Sequence, residues 1–101
     1  MNCELNTINN QAVITIIGEI PLLMATEIKA LLDQAMTSAN VIIIQIKDMS
    51  YVDLSFLQLI YAAQKKCLAN NKHIVFHASC VEQLKQYVQE AGFSHAITIK
   101  E

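Results

Sequence analysis

Tyr51-Val52-Asp53-Leu54-Ser55-Phe56-Leu57-Gln58-Leu59-Ile60 is the stretch in which a buried strand hands over to a helix. Just ahead of it, Val41 to Ile46 carries a Val-Ile-Ile-Ile core that is apolar on both faces, as expected of a strand covered on both sides. Asp48, Met49 and Ser50 break that strand, and a helix is expected from about Asp53 to Asn70. In an open α/β sheet, binding surfaces form at such carboxyl ends of the strands.

Two residues compete for the N-cap of this helix. With Asp53 as the cap, its carboxylate bonds the first free amides, Val52 and Leu57 form a hydrophobic staple, and Ser55 sits exposed in the first turn. With Ser55 as the cap, Gln58 completes a capping box and Leu54 with Leu59 forms the staple. At about 100° per residue, Phe56, Leu59, Ile60, Ala63 and Cys67 share one stripe, while Leu54, Leu57, Tyr61 and Leu68 share the next. So wide an apolar arc means either deep burial or an apolar strip offered to a partner.

Outward from this helix, the rest of the chain alternates strands and helices. Glu4 to Ile8, Asn9 with Asn10, and Ala12 to Ile17 read as a hairpin ended by Gly18. Met24, Ile28, Leu31, Leu32 and Ala35 recur at helical spacing between Pro21 and Ser38. Beyond the central helix, Asn71 and Lys72 turn the chain into a strand at His73 to His77. Ser79 and Glu82 form a capping-box signature for a third helix along Val81, Leu84, Val88 and Ala91, stopped by Gly92. A last short strand is expected at Ala96 to Ile99. The resulting order, β-β-α-β-α-β-α-β, predicts an α/β fold with a mixed, mostly parallel sheet and an N-terminal hairpin.

Composition narrows the function. At 101 residues, 53% hydrophobic and 16% charged, residues 1–101 suit a single domain rather than a disordered chain. The seven basic residues are all Lys, against nine acidic ones, which argues against nucleic acid as a ligand. The start of the chain is polar, unlike a signal peptide, and no apolar run approaches the roughly 20 residues that span a bilayer. Three cysteines without paired spacing, Cys3, Cys67 and Cys80, fit reduced thiols in a cytoplasm.

No catalytic set is visible, so no enzyme, metal or cofactor is expected. His73 and His77 would stand about 13 Å apart along a strand, too far to share one ion. His77 with Cys80 supplies only two ligands, and Cys67 reads as a buried thiol. Asp48 sits where a response-regulator receiver keeps its phospho-accepting Asp, but the acidic pair and the late Lys of a receiver are missing.

The strand, the Asp-x-Ser-x-Leu turn into a helix and the order of elements resemble STAS domains, the family of sulphate transporters and anti-sigma factor antagonists. Val41 to Val75 carries the resemblance most clearly. The antagonists' motif is Asp-Ser-Ser-Gly-Leu-Gly, its second Ser phosphorylated by a partner kinase that also binds the sigma factor. Asp53 matches the Asp, Ser55 the phosphorylated Ser and Leu57 the Leu. Leu54, Phe56 and Gln58 depart from the motif, replacing the first Ser and the two glycines. The run Val52 to Leu59 looks more like a divergent branch of small bacterial STAS proteins, some associated with chemotaxis proteins and one a subunit of the lipid-asymmetry ABC transporter.

The resemblance implies a non-enzymatic regulatory docking module, with Ser55 as the phosphorylation candidate. Asp53, Leu54, Ser55, Phe56, Leu57 and Gln58 are the expected partner contacts. The implied partner is a serine kinase or anti-sigma factor, a chemotaxis component, or, for a constitutive accessory subunit, a transporter ATPase. An exposed edge strand and the apolar strip also allow a homodimer.

Overall fold

The computed structural model describes residues 3–101. Strands β1 (Cys3–Ile8) and β2 (Gln11–Ile17) pair antiparallel, with Ile8 opposite Gln11. The two residues between them, Asn9 and Asn10, have φ of 49° and 63°, the left-handed pair that a two-residue hairpin of matching twist requires and that Asn tolerates. Strand β3 (Val41–Lys47) then runs parallel to β2, and β4 (His73–Phe76) parallel to β3, giving the sheet order β1-β2-β3-β4.

Helix α1 (Ala25–Ser38) connects β2 to β3, and α2 (Leu54–Ala69) connects β3 to β4. Each crossover steps the same way along the sheet, and right-handed connections put both helices on one face, where they pack against each other. Side chains therefore divide by parity. Ala12, Ile14, Ile16, Ile42, Ile44, Ile46, Ile74 and Phe76 are buried under the helices, in one continuous core with Ile28, Leu32, Phe56, Ile60 and Cys67. Val13, Thr15, Val41, Ile43, Gln45 and Val75 point to the other face and are only half-buried. The apolar β3 run thus does not have full cover on both sides, as its composition predicts, because no crossover helix is placed on the outer face.

The remaining elements keep their expected places with local corrections. Helix one opens later than Pro21: Pro21 precedes a 3₁₀ turn at Leu22–Met24, and α1 follows from Ala25. Helix α3 (Ala78–Glu90) is capped by His77 rather than Ser79. His77 Nδ1 accepts the Ser79 amide at 3.2 Å, which places Ser79 inside the first turn. Gly92, with φ of 79°, closes the helix: its amide donates to Gln89 and that of Phe93 to Val88, the paired bonds of a left-handed C-terminal cap.

The strand expected at Ala96 to Ile99 does not form. Ile97 and Ile99 are buried, so the alternation reads correctly, and Phe76 donates one backbone bond to Lys100 at 2.8 Å. The Gln64 side-chain amide takes both backbone groups of Thr98, donating to its carbonyl at 2.6 Å and accepting its amide at 3.2 Å. Those groups are consequently not available to a ladder. No helix among the described residues is long and apolar enough to cross a membrane.

Candidate functional site

Past their last paired residues, the chains leaving β2 and β3 stay tied. Gly18 donates to Lys47, Ile20 donates to Tyr51 at 2.7 Å, and Asp53 donates to Ile20 at 2.8 Å, with Ile20 and Val52 as bridge partners. Asp48, with φ of 53°, lets the second chain bulge between these ties. Ile20 and Val52 are buried beneath, and the 3₁₀ turn is brought against the start of α2.

The same ties select the helix cap. Because its amide is spent on Ile20, Asp53 is held extended (φ −71°, ψ 150°) outside the helix, and its Oδ2 accepts the Ser55 amide at 2.9 Å. Its Oδ1 accepts the Tyr51 hydroxyl at 3.0 Å. The Ser55 hydroxyl dipole first, then the Ser55 amide and the Tyr51 hydroxyl, hold the Asp53 carboxyl below the usual carboxylate range. In return, the hydrogen bond to Asp53 and then its charge raise the Tyr51 phenol.

Ser55 is not exposed in the first turn, as this cap geometry alone would suggest. Its Oγ is buried and has no hydrogen-bond partner among the described residues. It lowers the Asp53 carboxyl from close by without the geometry of a hydrogen bond. Buried polar atoms of this kind are rare in folded proteins and costly.

The other motif residues are separated by helical phase. Phe56 is 1% exposed and Leu57 is likewise buried, both in the core with Ile60, Ala63 and Cys67. Phe56 and Leu57 therefore have no side-chain surface to offer a partner, a correction to the expected contact set that follows from the inward side of α2. Leu54 and Gln58 are exposed, and Asp53 is half-buried. The wide apolar arc of α2 resolves into a buried centre with Leu54 and Leu68 exposed at its two ends.

Three surface residues enter the site that the motif does not contain. Leu22 and Leu23 are 64% and 91% exposed on the 3₁₀ turn beside α2, and Tyr51 is exposed in the tied loop. Their signal in the sequence is the pair of leucines after Pro21 that falls off the Met24-Ile28-Leu31-Leu32-Ala35 stripe. Away from this end, Cys67 is buried and burial pushes its thiol up, so it is a poor nucleophile. His77 is occupied as the α3 cap.

The structure is that of a small α/β domain with an open outer sheet face and an Asp-capped helix start flanked by exposed leucines. The chain belongs to the STAS domain family, whose model matches residues 2–101. Among solved structures, it is similar to the unphosphorylated anti-sigma factor antagonist SpoIIAA (16% identity, TM-score 0.71, 98% of this chain and 88% of that one). The phosphorylated form of SpoIIAA, a Bacillus cell fate determinant, gives 16% identity and a TM-score of 0.68 over 98% of this chain and 91% of that one. An anti-sigma factor antagonist from Mycobacterium paratuberculosis gives 13% identity and 0.71 over 97% and 83%. Sequence comparison with curated proteins finds no match.

Proposed function

We propose that this protein is a non-enzymatic regulatory module that docks a protein partner at the start of α2. The observation that carries this reading is the cluster of exposed Leu22, Leu23, Tyr51 and Leu54 around Ser55, drawn from two loops that are hydrogen-bonded together. Single exposed leucines are ordinary, whereas several gathered at one end of the sheet favour an interaction surface. Leu23 and Leu54 supply apolar contact, and Gln58 and Asp53 supply polar contact. Phe56 and Leu57 act from beneath by fixing the helix. The similarity in fold to anti-sigma factor antagonists supports a regulatory partner, a serine kinase of the anti-sigma type or a chemotaxis component.

Phosphorylation of Ser55 is the switch that suits this surface. Modification requires the buried hydroxyl to turn outward, and a phosphoryl group there adds about −1.5 to −2 charges at the α2 N-terminus, which tolerates them. Asp53 opposes the added charge, and desolvating it against a partner weakens docking. The shielding of Oγ favours a second reading, a constitutive accessory subunit of a transporter ATPase in which Ser55 is never modified.

The test is to purify the tagged protein from its native cells and identify its stoichiometric companion by mass spectrometry. Leu23→Asp and Leu54→Asp are then expected to keep the fold and lose that companion. Ser55→Asp loses it if the site is switched and keeps it if the subunit is constitutive. A companion retained by both leucine variants rules out this docking surface.

A further inference from the structure

The docking surface carries carboxylates without an ion-pair partner among the described residues, and we infer that its partner presents a basic amphipathic segment with apolar anchors, an inference that rests on the docking role proposed above. Three carboxylates rim the exposed leucines. Glu19 lies in the first tied loop between Gly18 and Ile20, Asp48 stands at the bulge of the second, and Asp53 ends it. Glu19 and Asp48 are exposed. The backbone bonds joining Ile20 to Tyr51 and Asp53 bring the loop that carries Glu19 alongside Tyr51 and Asp53.

Among the described residues, no lysine ammonium lies within 4.0 Å of these carboxylates. Among the described residues, the ion pairs within 4.0 Å are Lys29 and Lys66 with Asp33, away from this end of the sheet. Lys47 is adjacent in sequence, but it pairs with Ile17 on the outer face, one residue beyond buried Ile46, and so points away from the helices. Lys65, Lys66 and Lys72 lie toward the opposite end, at the close of α2 and the entry to β4. A partner with Lys or Arg at the margin of an apolar stripe matches this arrangement, and a like-charged one is repelled. Charge of this kind steers encounter and choice of partner, and it fades as salt screens it.

The full-length protein can be titrated with two fluorescent amphipathic peptides that share one leucine face, one with lysines on its polar face and the other with glutamates. The lysine peptide is expected to bind at least tenfold more tightly at low salt, with that preference shrinking to about threefold or less near 0.3 M. Amide shifts on binding should fall on residues 19–23 and 48–54. The Glu19→Gln/Asp48→Asn double variant, which leaves the helix cap intact, should lose most of the preference. Equal binding of both peptides at this patch overturns the charge assignment and leaves the docking surface standing. Absence of shifts at 19–23 and 48–54 with either peptide counts against both.

Discussion

Replacing Ser55 by Ala is expected to stabilise this protein. The Ser55 Oγ is buried with no hydrogen-bond partner, so only its pull on the Asp53 carboxylate offsets the water that folding strips from it. A desolvated, unsatisfied hydroxyl costs about 1–3 kcal/mol, and Ala keeps the Cβ while removing the oxygen. Ala is also the better residue within a helix. Allowing for the small void left behind, a net gain of about 1 kcal/mol is expected. In a domain of this size that raises Tm by about 4–8 °C. Urea unfolding followed by circular dichroism should show a higher midpoint at unchanged slope. The sign is diagnostic, because a Ser at the N-cap would lose about 0.5–2 kcal/mol on the same change. A Ser55→Ala variant less stable by 1 kcal/mol or more would show that the hydroxyl is satisfied in the folded protein and refute the reasoning. The same variant removes the largest influence lowering the Asp53 carboxyl, whose NMR titration should move up toward the ordinary range.

Other substitutions test the neighbouring claims. Asp53 has a lowered pKa in the folded state, so its charge stabilises the fold above the unfolded carboxylate value of about 4, and that contribution is lost as pH falls through its folded pKa. Asp53→Asn keeps a capping side chain without the charge, so its stability deficit relative to the parent should shrink on acidification; a deficit independent of pH would contradict this. Phe56→Gly, which restores the small residue of the related motif, should cost about 4–6 kcal/mol from the lost core ring and the helix glycine, close to the total stability of many domains. A loss under 2 kcal/mol in chemical denaturation would mean that Phe56 is not a core residue. His77→Asp places a better cap and a negative charge at the start of α3, for a gain of about 0.3–1 kcal/mol in the same assay. Gln64→Ala should speed hydrogen exchange at Thr98 more than at Ile14, since the clamp on that segment is a single side chain.

The sheet and helices were legible because their patterns are local. β-Branched runs marked β1 to β3, and apolar spacing of three and four marked α1 to α3. The cap of α2 was not decided locally, since Asp53 and Ser55 are both capping residue types; the Asp53–Ile20 backbone bond, across 33 residues, decides it. The missing fifth strand has a similar origin, because Ala96 to Ile99 alternates as a strand does while Gln64, 34 residues earlier, occupies its backbone. His77 is not legible as a cap because imidazole seldom takes that role. Phe56 illustrates the opposite case. Its phase with Ile60, Ala63 and Cys67 placed it inside, and only its position in the motif suggested a surface role.

Ile20 grips Tyr51 on one side and Asp53 on the other, so the two loops bearing the exposed leucines are riveted into one clasp. A visitor to this end meets a surface already set, and little chain entropy is lost in arranging it. If the proposed docking role holds, exchanging the side chains at Leu22, Leu23 or Leu54 would alter what the clasp recognises without disturbing how it is built. The backbone here is thus a fixed mount on which exposed side chains are interchangeable.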